Sequence, residues 1–299
     1  MLCALMLVAA MSSISADLPG RSVMLQITDG RVEARFDPVR RRLMHFGRVG
    51  GPNLLWTKFD HDLHDAGPDW WINFGGEKIW LWPQARWVEA FGSDWPPRND
   101  LLGTPADEAR MDDGAIVSTS ASLEWAGVRI ERRFEIDASS RLIVTTRTRV
   151  DEPENAAGWA LWSVAQLPRP VRVVGRQADA TLDERPLGQT PVEMKRLNER
   201  WIELRPVDAT GAKLGFNGDA FAGVIGPDVL WVESPARADD TFPPGERAQF
   251  YATSLTDQDA YVEFEFISRH ATRENPQLEL VIVLEAITTE ELDRRLSAR

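Results

Sequence analysis

The sequence predicts an all-β protein, a large antiparallel sandwich with one short helix at its C-terminus. Apolar runs with period-two alternation recur at short spacings along almost the whole chain after residue 20. No helical runs alternate with them, which argues against a parallel α/β sheet. Only "TTEELDRRL" carries helix punctuation, with Thr288 or Thr289 placed as N-cap, acids in the first turn and arginines in the last.

Taken in order, "SVMLQITDGRVEARFDP" offers two alternating runs joined by Asp29-Gly30, a pair suited to a two-residue hairpin turn. "AIVSTSASLEWAGVRIERRFEIDASSRLIVTTRTRV" adds three strands, broken at Ala126-Gly127 and between Asp137 and Ser140. "GWALWSVAQL", "RWIELRP", "AFAGVIG", "VLWVESP", "RAQFYATS", "AYVEFEFIS" and "QLELVIVLEAI" follow as further strands. The exception is a stretch from Thr57 to Asp113 that reads as irregular, with polar, proline-containing parts flanking "NFGGEKIWLWPQARW". Long loops inside compact domains are usually functional. No linker or repeat divides the chain, so a single domain over residues 17–299 is expected.

With 299 residues, 43% of them hydrophobic, the chain can bury a substantial core. Its 34 basic and 46 acidic residues give a net charge of −12, which repels phosphate backbones, and no basic run offsets it. Nucleic acid is therefore not an expected partner. "MLCALMLVAAMSSISADLPG" has the apolar run and small polar residues of a secretory signal, so residues 1–16 are expected to be removed on export to the periplasm or beyond. The run is too short to span a bilayer and no later stretch is longer, so no membrane span is expected. Cys3 is the only cysteine and would leave with that signal, which excludes disulfides and Cys-ligated metals from the mature chain.

Seven of the twelve tryptophans (Trp56, Trp70, Trp71, Trp80, Trp82, Trp87 and Trp95) fall within forty residues, six of them in the irregular stretch and Trp56 just before it. Loops bury indoles less efficiently than strands do, so some of these rings are expected to line a cleft. Flat aromatic faces match the C–H patches of sugars, while Glu77, Lys78 and Gln84 could bond hydroxyls. The same composition also fits a hydrophobic cluster beneath a long loop. In "YVEFEFIS", alternation puts Val262, Phe264 and Phe266 on one face, with Tyr261, Glu263 and Glu265 on the other. The two carboxylates then lie about 6.5–7 Å apart along the strand. In a closed cleft, desolvation and mutual repulsion raise one of their pKa values toward that of a useful proton acceptor, whereas on an open face both stay ordinary.

Other patterns are weak. "HDLHD" spaces His61 and His64 for a shared metal only on a helix, and no third ligand accompanies them, so no metal is expected. Ser163 lacks the glycines of a nucleophile elbow. "GGPN" and "NFGGEK" lack phosphate-loop spacing, so no nucleotide cofactor is expected.

"VEARFDPVRRRLMHFGRVGGPNLLW" resembles the opening of the galactose-mutarotase-like (aldose 1-epimerase-like) superfamily, and "GGEKIWLWPQ" is similar to a Gly-Gly-x-Lys/Arg-x-Trp-x-x-Pro-Gln signature of one bacterial branch of it. "GWALWSVAQLPRP", "FPPGERAQFYA" and "YVEFEFIS" follow in matching order, so the resemblance spans residues 22–287. It implies a β-super-sandwich whose concave sheet face holds a small carbohydrate, and a reaction that opens and recloses the sugar ring with a glutamate base and a histidine acid. Glu265, or its neighbour Glu263, matches the glutamate. Lys78, Gln84 and Glu77 would hold substrate oxygens, with Trp80 or Trp87 stacking. The strand corresponding to the histidine-bearing one contains Ser163 and Gln166 but no histidine. Gln166 joins the binding set, and the acid has no assignment. Two functions follow: an aldose 1-epimerase-like isomerase, or a non-catalytic periplasmic carbohydrate-binding protein.

Overall fold

The computed structural model describes residues 23–58, 73–93, 106–177, 184–187, 191–206, 211–235, 240–242, 247–254 and 259–298. The expected signal segment, His61, His64, Trp70, Trp71 and Trp95 lie outside them.

The chain is an all-β sandwich of two large antiparallel sheets. In the nine-stranded sheet the spatial order is Leu25–Thr28, Val32–Asp37, Arg42–Arg48, Glu77–Trp82, Ala160–Pro168, Tyr261–Ile267, Ala248–Ala252, Ala212–Phe216 and Glu184–Pro186. The ten-stranded sheet runs Val192–Arg196, Trp201–Pro206, Arg172–Gln177, Gly218–Ile225, Asp228–Glu233, Glu279–Thr288, Leu142–Val150, Val128–Ile136, Ala115–Thr119 and Glu108–Asp112. Between the sheets, Phe221 stacks on Phe264 with centroids 4.8 Å apart, and Phe36 meets Phe134 at 4.9 Å. These rings join a continuous apolar layer that includes Leu81, Leu161, Ala165, Phe250 and Phe266. A smaller cluster lies around Val174, Ala222, Trp231 and Ile287, where the C-terminal helix adds Leu292 and Leu296.

Each strand named above from the sequence is present, and the first two form a hairpin, but Thr28 is paired with Glu33, so the connection through Asp29-Gly30 is four residues long and not two. The helix spans Thr289–Ser297, with the Thr288 hydroxyl accepting from the Glu291 amide as N-cap. The stretch read as irregular is the main correction. It contains Glu77–Trp82, fourth of the nine strands, then a short helix at Trp87–Phe91 and a strand at Glu108–Asp112. Residues 77–81 are all buried, so both faces of this strand are covered. A strand buried on both sides loses the period-two signal that marks half-buried strands.

Candidate functional site

The Glu77–Trp82 strand reaches the sheet through two glycines. Gly75 and Gly76 both adopt the left-handed region, at φ +76° and +77°. A Cβ on Gly75 would lie 2.1 Å from the Trp56 carbonyl oxygen, and one on Gly76 2.2 Å from that of Leu43. Only glycine fits either place. Backbone bonds lock the approach: the Gly76 amide donates to the Trp56 oxygen at 2.7 Å, and the Gln166 amide to the Gly76 oxygen at 3.0 Å.

From there alternation separates two neighbouring charges. Glu77 shares the inner face with Ile79 and Leu81, against the ten-stranded sheet, while Lys78, Trp80 and Trp82 point outward. The inward carboxylate is fully buried. It accepts from Arg132 Nη2 at 2.7 and 2.6 Å and from the Ser163 hydroxyl at 2.9 Å. Arg132 belongs to the opposing sheet, so Glu77 bridges the sheets and does not reach the outward face where the substrate was expected. The polar run "GGEK" gave no hint of this, because its two charges differ only in strand parity.

Register defines the outward face. Lys78 and Glu265 are both paired with Val164, from the strands on either side of it, and Gln166 is paired with Glu263. On the next strand Gln249 lies opposite Glu265 and Tyr251 opposite Glu263, with Lys213 beyond Tyr251. Trp162, Val164 and Gln166 therefore line the centre of this face, with Glu263 and Glu265 on one side and Lys78 and Trp80 on the other. The expected residues Lys78, Gln166, Glu263 and Glu265 do converge here.

Glu265 is fully buried. Its Oε2 accepts from Trp162 Nε1 at 2.7 Å and from Lys213 Nζ at 2.9 Å, while Oε1 has no hydrogen-bond partner among the described residues. Glu263 Oε1 accepts from Gln166 Nε2 at 2.6 Å and lies 4.0 Å from Lys78 Nζ, beyond hydrogen-bonding distance. The Lys78 ammonium instead sits 4.2 Å from the centroid of the Trp80 ring. Gln166 Oε1 and both polar atoms of the Gln249 amide are buried without partners among the described residues. Buried polar atoms without partners are rare in proteins and call for an explanation. Here several of them gather in one place.

Electrostatics follow from this burial. Desolvation is the largest influence on Glu265 and pushes it up to about 7; Lys213 opposes it and Glu263 adds to it. Desolvation likewise brings Lys78 down to about 7, against the pull of Glu263 and Glu265 and with help from Arg42. A carboxylic acid and an ammonium that both titrate near neutrality, on one face, form a set able to exchange protons.

The remaining expected residues are placed differently. Trp80 and Trp87 are buried, not open to a cleft. Trp87 donates its indole N–H to the Leu81 carbonyl at 2.9 Å and meets Trp80 edge-on at 5.8 Å. Trp80 meets Trp162 at 5.2 Å, as does Trp82. These indoles form a packed wall at one end of the polar group, the hydrophobic-cluster alternative left open by composition. Gln84 is half-buried in the turn after the strand. At the opposite end Trp56, Tyr261 and Tyr251 form a second, half-buried aromatic group, with Trp56 and Tyr261 at 4.7 Å and the two tyrosines at 6.4 Å.

Sequence reasoning missed Trp162, Lys213 and Gln249. Counting in twos from Gln166 reaches Trp162, and from Tyr251 reaches Gln249, so alternation could have found both. Lys213 lies in "AKLGF", too short and glycine-bearing to stand out as a strand. Neither described histidine fills the expected acid position. His45 Nε2 lies 3.3 Å from Glu33 Oε1. His270 Nδ1 lies 3.2 Å from the Gly158 oxygen, ahead of a strand whose first residue, Ala160, is roughly 13 Å from Val164 by rise per residue. A cavity of ≈ 300 Å³ lies elsewhere, with Arg169, Leu204, Phe250 and Tyr261 among its walls. Its walls hold neither Lys78 nor Glu265.

The two-sheet architecture is similar to that of solved galactose mutarotase-like structures. A galactose mutarotase-like protein from Lactobacillus casei ATCC 334 superposes with a TM-score of 0.55 at 10% identity, over 89% of this chain and 100% of that one. A candidate aldose 1-epimerase from Escherichia coli K12 gives 0.54 at 11% identity, over 89% and 99%. A galactose mutarotase related enzyme from Lactobacillus acidophilus gives 0.52 at 10% identity, over 89% and 98%. No protein-family model and no curated protein matches the sequence.

Proposed function

We propose that the protein acts on a sugar or sugar derivative as an aldose 1-epimerase-like isomerase, with Glu265 as the general base. The observation that carries this reading is the state of Glu265: fully buried, anchored through Oε2 by Trp162 and Lys213, with Oε1 unbonded among the described residues. Burial raises its proton affinity to about 7, where a carboxylate takes a hydroxyl proton most usefully. Gln166 and Gln249 supply buried amide atoms without partners, suited to sugar hydroxyls. The solved proteins that share the fold include ones described as galactose mutarotase-like and related. Glu263, held by Gln166, is placed to assist as a second carboxylate.

A non-catalytic carbohydrate-binding role, in the periplasm if residues 1–16 direct export, is the second reading. It is favoured by the Ala160–Pro168 strand, which presents Trp162, Val164 and Gln166 and no histidine. Polarimetry on freshly dissolved α-D-glucose and α-D-galactose separates the two. The isomerase reading expects faster mutarotation with wild type and a loss of roughly 10²-fold or more in Glu265→Gln. Sugar binding by calorimetry with no acceleration by wild type would establish the non-catalytic reading instead.

A further inference from the structure

We infer that Lys78 is the general acid of this site, donating its proton to the ring oxygen of the sugar on the side opposite Glu265. This rests on the isomerase reading above and supplies the proton donor that the missing histidine leaves unassigned. The placement is a matter of register. Lys78 and Glu265 flank Val164 from adjacent strands on one face, which separates their Cα atoms by two strand spacings, about 9–10 Å. Val164 is small beside Trp162 and Gln166, the outward residues on either side of it, so it forms a low floor between the two ionisable groups.

The ammonium itself is uncommitted. Lys78 is 2% exposed, yet makes no hydrogen bond to any described residue. The contacts nearest to its charge are Glu263 at 4.0 Å and the Trp80 ring at 4.2 Å, with Glu265 and Glu77 acting from farther off. A structural buried lysine is normally fixed by close acceptors, because desolvating an unbonded ammonium is costly. Lys213 shows that ordinary arrangement, with its ammonium 2.9 Å from Glu265. Lys78 keeps its donors for something else in the same place where Glu265 Oε1, Gln166 Oε1 and Gln249 lack partners.

The step balances without another reactant. Glu265 Oε1 removes the proton from the anomeric hydroxyl, and that O–H electron pair becomes the C1=O1 π bond. The C1–O5 bond breaks, and its electron pair takes a proton from Lys78 Nζ. The open-chain aldehyde turns about C1–C2 and recloses by the reverse transfers, so both groups end as they began. The working state thus needs Glu265 ionised and Lys78 protonated. The charged groups facing Lys78 are Glu263 and Glu265 from the 261–267 strand and Arg42 from the 42–48 strand, with Glu77 behind it; those facing Glu265 are Lys213 and Glu263. Burial places both titrations near 7, which gives a narrow bell-shaped pH profile centred near neutrality.

The test is polarimetry on α-D-glucose and α-D-galactose across about pH 5–9 (roughly two units to either side of both limbs) with wild type, Glu265→Gln, Lys78→Met and Lys78→Arg. Thermal unfolding checks that each variant is folded. Lys78→Met should lower kcat by roughly 10²-fold or more with KM little changed, and should abolish the alkaline limb while keeping the acid one. Lys78→Arg keeps the charge but holds its proton too tightly to donate, so it should be nearly as slow. Should Lys78→Met not fold, the arginine variant carries the same test. An active wild type disabled by Glu265→Gln but unaffected by either Lys78 substitution would overturn the role of Lys78 alone. An unchanged alkaline limb in both Lys78 variants would do the same. A wild type without activity on either sugar would overturn the isomerase reading, and the assignment of Lys78 with it.

Discussion

Glu77 and Arg132 join the two sheets through a carboxylate–guanidinium contact at 2.6–2.7 Å, with both side chains almost wholly removed from solvent. Ser163 completes the carboxylate's bonds from the neighbouring strand. The pair lies behind the polar face, so what happens to it is felt as stability, not as chemistry.

Glu77→Ala should therefore destabilise the fold by about 3–5 kcal/mol, because it leaves the Arg132 charge buried and unpaired. Urea unfolding checks this. Replacing Glu77 and Arg132 together with apolar residues of similar volume should recover much of the loss, and a double variant no more stable than the single one would contradict the account.

Gly76→Ala should be harmful out of proportion to one methyl group. The residue holds φ +77°, and the added Cβ would meet the Leu43 oxygen at 2.2 Å. Strain alone costs about 1–3 kcal/mol, and relieving the clash must break the bonds to Trp56 and Gln166. Thermal melting should show a loss of at least about 2 kcal/mol, with Gly30→Ala, which meets no atom within 4 Å, as the milder comparison at similar φ.

Trp87→Ala is expected to behave as a core deletion. Its ring is fully buried and its N–H is satisfied by Leu81, so removal should cost about 3–5 kcal/mol. Equilibrium unfolding measures this, and a variant as stable as wild type would show that the ring is not part of the core.

Stability should depend on pH in opposite senses on either side of neutrality. Glu265 holds its proton to about 7 in the folded protein, against 4.5 as the ordinary value. Between those values the native state keeps a proton that the unfolded chain has released, so this contribution is complete below 4.5 and is lost as pH rises to 7. Lys78 is the converse, because its proton leaves at about 7 when folded and at 10.5 ordinarily, so stability rises with pH between them. The stability difference between wild type and Glu265→Gln should therefore fall by at least about 1 kcal/mol from pH 4.5 to 7. Parallel unfolding curves for the two proteins would contradict the raised proton affinity.

The sandwich was legible wherever one strand face met the core and the other did not. Val262, Phe264 and Phe266 alternate with Tyr261, Glu263 and Glu265, and the structure divides them between the two faces accordingly. Glu77–Trp82 was not legible, because cover on both sides removes the alternation. That one error carried the tryptophans with it: once the segment is a central strand, Trp80 and Trp87 become packing. The grouping of Lys78 with Glu265 lay beyond the sequence for a different reason. They are 187 positions apart in the chain, and only strand order brings both beside Val164.

Glu77 and Lys78 are consecutive, yet one is sealed between the sheets and the other faces outward. Strand parity alone decides which charge goes where. Substitutions can be tried one position at a time, but the length of the segment from Gly76 to Trp82 has no such latitude. One residue inserted after Gly76 would carry an ammonium toward Arg132 and a carboxylate toward Glu263, placing like charges together on both sides of the sheet at once. Any functional descendant of this chain is therefore bound to conserve an interval, a count of residues, more strictly than most of the side chains within it.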